Sequence, residues 1–528
     1  MKLERVLVTW AFLPACVVFA ACGNSDPNNP GNGAGGSVAA GGSNSGKGGT
    51  ANGGSGTGGS GTGGSASGGF VGSGGVANGG AANGGSGTGG ASNSGGSASG
   101  GSSSGGSSSG GSSSGGSSSG GSSSGGSSSG GKIGAGGSAS GGSSSGGTPG
   151  ASAEDDGADC QVGALPDSGS LPTNAKLPDP FKKLDGTRMA SKSEWRCRRE
   201  EIKRMAEKYV YGEKPGKPTM VTGTVSNSSV SVSVSHNGKS ASFSASVSLP
   251  SGTGPFPAVV VLGGFGADTT TIKAAGAAVI NYDPLAVGKE NTPRNNKQGA
   301  FYTIYGSNSA TGLLAAWGWG VSRIIDVIAQ SNGSVLKADG IGVTGCSRYG
   351  KGAFVVGVLD QRVALTMPIE SGTAGVPIFR GIPGEGAQTL SSAYGEQPWF
   401  GDPFTAFTGS PTKLPIDTHE MVAMVAPRGL FIMDNPHIAN LGPKSAHVAA
   451  LGGAEVYKAL GAGDNITYWS DVADGMHCAV RNEWKDPLTK AIKKFLLKSG
   501  TDAGAIKAHS KATGNLADWR DWTTPTLN

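Results

Sequence analysis

Zinc-binding spacings are absent from this chain. It has no Cys-x-x-Cys pair and no His-Glu-x-x-His, which excludes the common zinc frameworks. Charge is also scarce, at 15% of 528 residues, and a formal net charge of +5 argues against a dedicated nucleic-acid binder, which would carry a basic stripe. Aromatic residues and charge almost vanish between residues 23 and 152, where Phe70 is the one aromatic. That segment is mostly Gly, Ser, Ala, Asn and Thr, and Gly-Gly-Ser-Ser-Ser repeats without interruption from Gly100 to Gly131. Such a composition buries too little apolar surface to offset the entropy of ordering, so a disordered linker is expected. As a Gly/Ser coil it would reach roughly 60–70 Å, from about 5–6 Å × √n. Its expected function is to hold a folded domain away from a surface.

Before the linker, Lys2 and Arg5 precede an apolar run from Val6 to Ala20, followed by Ala21-Cys22-Gly23. The run is too short for a permanent membrane span and reads as a signal peptide over Met1–Cys22. The small residues ahead of Cys22 resemble a bacterial lipoprotein cleavage site, with Cys22 as the lipidated N-terminus; plain cleavage nearby is the alternative. Either way the chain is expected to be exported, to the cell surface or the medium, touching a membrane only through that anchor.

Residues 153–528 hold nearly all the charge and every tryptophan except Trp10, enough for one large core and one catalytic domain. Setting aside Cys16 and Cys22, four cysteines remain: Cys160, Cys197, Cys346 and Cys478. In an exported chain an even number favours disulfides. Three connectivities exist for four cysteines. The preferred one is Cys160–Cys197 with Cys346–Cys478, which would tie the neighbour of Ser347 to the neighbour of His477. The alternative leaves Cys346 and Cys478 as buried thiols.

This part opens on a proline-rich lead-in, Leu177-Pro178-Asp179-Pro180-Phe181. Ser191 and Glu194 then form a capping-box spacing ahead of a helix from Trp195 to about Val210. Val230–His236 and Lys239–Leu249 alternate in polarity around Asn237-Gly238, a two-residue hairpin signal. From there the pattern changes to short apolar runs at Ala258–Leu262, Ala275–Asn281, Gly340–Thr344, Arg362–Pro368, Gly429–Met433 and Asn465–Ser470. Helical spacing intervenes at Trp317–Ile328 and Lys351–Leu359. Alternating strands and helices predict an α/β-hydrolase fold, a mostly parallel sheet covered on both faces in three layers. Reactive groups then belong on loops at the carboxyl ends of the strands.

Ser347 sits in Gly345-Cys346-Ser347-Arg348-Tyr349-Gly350-Lys351, between an apolar strand-like run and a helix-like one. A strand–turn–helix that lifts one hydroxyl beside free backbone N–H groups suits a nucleophile in acyl transfer. The general elbow is Gly-x-Ser-x-Gly, and Tyr349 stands where the second glycine is expected. Of the six histidines, His236, His419, His437, His447, His477 and His509, the best placed base is His477, in a turn after the last apolar run. His419 reads as structural. The acid is open: Glu370 ends the run after the elbow helix, Asp434 ends the next one, and spacing does not choose between them.

These residues resemble the glucuronoyl esterases, carbohydrate esterase family 15. The resemblance spans the folded part and rests on Leu177–Phe181, Trp195-x-Cys197-Arg198, Trp317-x-Trp319-Gly320-x-Ser322-Arg323, the Gly345–Lys351 word, Glu370-Ser371-Gly372, Ala426-Pro427-Arg428-Gly429-Leu430, Leu441-Gly442-Pro443 and His477-Cys478. It accounts for Tyr349, since the elbow word is the family's own. It implies hydrolysis of 4-O-methyl-glucuronoyl esters joining glucuronoxylan to lignin alcohols, by Ser347 with His477 as base and without metal or cofactor. By the same resemblance Glu370 is the acid of fungal members, with Asp434 or a neighbour the acid used by some bacterial ones. The resemblance further implies that Arg348 helps hold the oxyanion and that Lys351, Gln388 and Glu396 bind the uronate, with Trp399 a candidate sugar platform and both cysteine pairs matching family disulfides. One departure stands out: Asn440 occupies the place of a tryptophan that contacts the uronate. The protein is expected to act as a monomer. Rival expectations are another carbohydrate esterase, such as an acetyl xylan esterase, or a non-catalytic carbohydrate-binding surface lipoprotein.

Overall fold

The computed structural model describes residues 153–501 and 504–528. The expectations for Met1–Cys22, lipidation of Cys22 included, and for residues 23–152 lie outside the described residues.

Ten strands form one sheet in the order β1-β2-β3-β5-β4-β6-β7-β8-β9-β10. They are β1 (Met220–Val225), β2 (Ser229–His236), β3 (Lys239–Ser248), β4 (Phe256–Leu262), β5 (Ala278–Tyr282), β6 (Leu336–Cys346), β7 (Val363–Ile369), β8 (Gly429–Met433), β9 (Ile466–Trp469) and β10 (Ile506–Lys507). The first three run antiparallel, β3 pairs antiparallel with β5, and every pairing from β5 through β4 to β10 is parallel. Asn237 and Gly238 have φ of 48° and 75°, the left-handed pair that a tight two-residue turn needs.

The helices are α1 (Trp195–Ala206), α2 (Thr269–Ala274), α3 (Ala300–Tyr305), α4 (Leu313–Gln330), α5 (Arg348–Leu359), α6 (Leu390–Glu396), α7 (Thr418–Met424), α8 (Pro443–Ala459) and α9 (Asn482–Phe495). Alternation along β4 shows how they cover both faces. Val260 and Leu262 belong to the apolar cluster that takes in α4, α5, α7 and α8, while Val259 and Val261 belong to the one that takes in α2 and α9. Burying each such valine is worth about 1.5–3 kcal/mol. The Ser191–Glu194 capping box forms as expected, and after Ala206 the chain continues through a wider helical turn, Glu207–Tyr211.

Several bounds differ from expectation. The strand expected from Ala275 begins at Ala278, because Ala275 closes α2 and Gly276 turns the chain at φ 99°. The elbow helix starts at Arg348, not Lys351. Strand β1 carries weak apolar alternation and pairs only at the sheet's solvent edge. Helix α8 is rich in Ala and Gly, which blurs an apolar stripe, whereas α9 buries Trp484, Leu488, Ala491 and Ile492 along one face. No helix among the described residues is long and apolar enough to cross a membrane.

Candidate active site

Strand β6 ends at Cys346 and α5 begins at Arg348, leaving Ser347 alone in the turn at φ 59° and ψ −125°. A non-glycine residue there costs about 1–3 kcal/mol and persists because its surroundings fix it. Its N–H donates to the Ile369 carbonyl at 3.0 Å, and its carbonyl accepts from Lys351 N–H at 3.0 Å. The irregular elbow word has a packing reason. A Cβ on Gly345 would lie 2.6 Å from Tyr349 O, and one on Gly350 would lie 2.4 Å from Ile369 O. Gly350 therefore supplies the close approach expected of the glycine that Tyr349 displaces. Tyr349 itself lays its ring against Gly263, where a Cβ would meet the ring at 2.1 Å.

His477 lies in the loop after β9. Arg481 ties that loop down by donating from Nη2 to the carbonyls of Asp474 (3.1 Å) and Met476 (2.7 Å). Disulfide Cys346–Cys478 joins the residue before Ser347 to the residue after His477, with Cα atoms 5.8 Å apart. Cys160–Cys197 is likewise bridged.

Glu370 ends β7 at φ 46°, fully buried. Its Oε2 accepts from His477 Nδ1 at 2.6 Å and from Cys478 N–H at 2.7 Å, and its Oε1 accepts from Asn435 Nδ2 at 3.2 Å. Arg481 Nε lies 3.8 Å from Oε1. An ionised carboxylate only accepts, so Nδ1 carries the imidazole proton and Nε2 is left to accept one.

Asp434 is placed otherwise. Its Oδ1 accepts from Asn435 N–H at 2.9 Å, and its Oδ2 lies 3.3 Å from the Tyr468 hydroxyl. Burial pushes its carboxyl up to about 7. The Tyr468 hydroxyl is also 3.3 Å from Pro443 O. The hydroxyl hydrogen of Tyr468 is shared between these two acceptors. Of the two candidate acids, then, Glu370 holds His477 and Asp434 is engaged elsewhere.

Ser347 and His477 open onto one cleft of about 340 Å³, lined also by Arg348, Lys351, Gln388, Glu396, Trp399 and Asn440. Gln388 Nε2 donates to Glu396 Oε2 at 2.6 Å, and Gln388 N–H donates to Asn440 O at 3.0 Å. Lys351 Nζ donates to Ser371 O at 2.7 Å and sits 5.2 Å from the centre of the Trp399 ring. Burial lowers its ammonium to about 7. Trp399 is buried and forms a wall. His419 is buried in α7, stacked on Trp522, with Nε2 2.8 Å from Pro178 O. His236 closes β2, and His509, in the C-terminal segment, lies tilted against His437 with ring centres 5.1 Å apart.

Cys346, Glu370, His477 and Cys478 gather closely enough to suggest a metal, but both sulfurs are spent in the disulfide and Nδ1 is committed to Glu370. That donor set does not fit a metal centre. Sequence reasoning missed Glu290, whose carboxylate accepts from Arg348 Nη1 at 2.9 Å and from Trp399 Nε1 at 2.7 Å. It stands in the polar stretch Lys289-Glu290-Asn291-Thr292, which reads as solvated loop.

The family model for fungal glucuronyl esterases matches residues 232–461. The 4-O-methyl-glucuronoyl methylesterase of Hypocrea jecorina is 36% identical over 378 residues, covering 70% of this chain and 80% of that protein. The chain belongs to the glucuronoyl esterases. The family's Thermothelomyces thermophilus methylesterase is 38% identical over 371 residues, 68% of this chain and 91% of its own. A glucuronoyl esterase of Sporotrichum thermophile, solved with methyl 4-O-methyl-beta-D-glucopyranuronate, superposes with TM-score 0.65 at 36% identity over 70% of this chain and all of that one. A carbohydrate esterase family 15 member from Caldicellulosiruptor kristjansonii gives 0.57 at 30% identity, over 68% and 98%. As a glucuronoyl esterase the chain is a carboxylic-ester hydrolase on an α/β-hydrolase fold.

Proposed function

We propose that the protein hydrolyses 4-O-methyl-glucuronoyl esters, of the kind that joins glucuronoxylan to lignin alcohols, with Ser347, His477 and Glu370 as its triad. The observation that carries this is the Glu370–His477 hydrogen bond at 2.6 Å behind a cleft shared with the elbow serine. Ser347 Oγ attacks the C6 carbonyl while His477 Nε2 takes its proton. Glu370 stabilises the imidazolium that forms. The Arg348 N–H, first in the unsatisfied turn of α5, and the Arg348 guanidinium hold the oxyanion. As the tetrahedral intermediate collapses, the C6–O bond to the alcohol breaks and the alcohol leaves with the proton from His477. Water then attacks the acyl-enzyme, giving its proton to His477, and Ser347 is released with it.

Lys351, Gln388 and Glu396 present donors and acceptors to the sugar hydroxyls, a chemistry suited to a uronate ring. Asn440, smaller than the family's tryptophan and able to hydrogen-bond, widens that side of the cleft. The disulfides fit an exported chain, and a leader over Met1–Cys22 would direct it to the surface or medium.

The test compares hydrolysis of benzyl glucuronate, benzyl galacturonate and acetylated xylan by wild type and by Ser347→Ala. Turnover of the glucuronate ester that vanishes in Ser347→Ala is the expected result. Activity surviving in Ser347→Ala would remove the nucleophile. A preference for acetylated xylan would give the site to another carbohydrate esterase, and failure of a fluorophosphonate to label Ser347 would favour a non-catalytic binding protein.

A further inference from the structure

Glu290 lies in the loop after β5, far in sequence from the elbow, yet it is buried to 6% exposure and bonds two residues that line the cleft, Arg348 and Trp399. Each of its oxygens meets one donor: Oε2 accepts from Arg348 Nη1 and Oε1 from Trp399 Nε1. The loop that carries it is itself pinned. Asn291 N–H donates to Gln397 Oε1 at 2.6 Å, Gln397 Nε2 returns a bond to Asn291 Oδ1 at 2.8 Å, and Trp317 Nε1 donates to Gly288 O at 2.8 Å. Glu290 is thus a fixed point, while Arg348, with a side chain 41% exposed, has solvent on one side.

We infer that Glu290 is a positioning residue that holds the Arg348 guanidinium and the Trp399 wall in register with Ser347, so that the oxyanion donor is in place before the ester arrives. This deepens the proposed function and rests on it. A long arginine side chain loses its value as an oxyanion donor if it must be ordered during the reaction, and a displacement of about an ångström can cost roughly 100-fold in rate. The planar fork offers five N–H groups, so one can be spent on Glu290 while others face the cleft. Because one carboxylate grips both Arg348 and Trp399, it also fixes the distance between the reacting carbonyl's donor and the surface beneath Lys351.

The test is a kinetic cycle on the full chain with benzyl glucuronate, using Glu290→Gln, Arg348→Ala and the double variant, with thermal melts alongside. Glu290→Gln is nearly isosteric and still accepts from one donor. Its expected effect is a fall in kcat of roughly ten- to a hundredfold with KM within about threefold. In the Arg348→Ala background the same change should lose most of its effect on kcat, since only its hold on Trp399 is left. Unchanged kcat in Glu290→Gln, or losses that multiply in the double variant, would overturn the inference and leave Glu290 a structural ion pair. Should Glu290→Gln fail to fold, Glu290→Asp, which keeps the charge but shortens the reach, gives the same two readouts. Ser347→Ala separates the two ideas. If it stays active, the proposed function fails; if it is inactive while Glu290→Gln equals wild type, only the positioning role does.

Discussion

Glu370 carries four contacts on two oxygens, and three of them, from His477, Cys478 and Asn435, are direct hydrogen bonds. Glu370→Ala should lower kcat roughly 10³- to 10⁴-fold, as loss of the residue orienting a catalytic imidazole does. Asp434→Asn should leave kcat within about threefold, because Asp434 touches Tyr468 and Asn435 rather than His477. Its effect belongs to stability. Burial raises the Asp434 carboxyl to about 7, so the folded chain keeps a proton that the unfolded chain releases from about pH 4 upward. That contribution is complete below about pH 4 and is lost as pH rises through about 7. Asn mimics the protonated form at all pH values. The melting temperature of Asp434→Asn should therefore gain on wild type as pH rises across that window, and a constant difference would contradict it. Sequence spacing could not choose between the two carboxylates, since both end parallel strands. What separates them is the side to which each backbone turns: Glu370 at φ 46° is aimed at the His477 loop.

At the scale of the element, the β6–Ser347–α5 unit works because three backbones crowd one point. Ile369 O, at the end of β7, accepts from Ser347 N–H and leaves no room for a Cβ at Gly350. Gly350→Ala is expected to destabilise the fold by about 1–3 kcal/mol through overpacking and to lower kcat by moving Ser347; a melt and a kinetic assay read both. A Gly350→Ala variant with wild-type stability would show that the elbow has slack. The helix after the serine was legible from its apolar spacing, as were β2 and β3 from their alternation. Their turn was legible from Asn237-Gly238. Helix α8 was not: Ala, Gly and Ser dominate it, and its buried face exists because Gly452 and Gly453 let α7 approach, with His419 and Val422 packed on them.

Among the described residues, a buried ion-pair network starts at Glu154. Its carboxylate pairs with Lys214 and Arg323 and lies 3.4 Å from Arg362, while Arg323 and Arg362 share Asp326. Arg323 is fully buried. Asp155 pairs with Lys203, and Asp156 with Arg196 and Arg199. A chain starting at Ala153 is expected to keep wild-type turnover of a soluble glucuronate ester. One starting at Cys160 should lose about 3–5 kcal/mol, since breaking a buried pair strands its partner. Chemical denaturation of the two chains, with kinetics below their transitions, is the check; equal stability would put the fold's true start later.

By itself the sequence determined the α/β-hydrolase class, the serine at the elbow and the histidine after the last apolar run. Those features are local: period-two and helical spacing, glycines that a sharp turn requires, and chain order. The tertiary structure alone decided which carboxylate meets His477, how Lys351, Gln388, Glu396 and Asn440 come to line one cleft, and that Glu290 reaches Arg348. A hydrogen bond between residues 107 positions apart, as for Glu370 and His477, leaves no spacing to read. It exists only once the parallel sheet has brought the carboxyl ends of β6, β7 and β9 to the same edge.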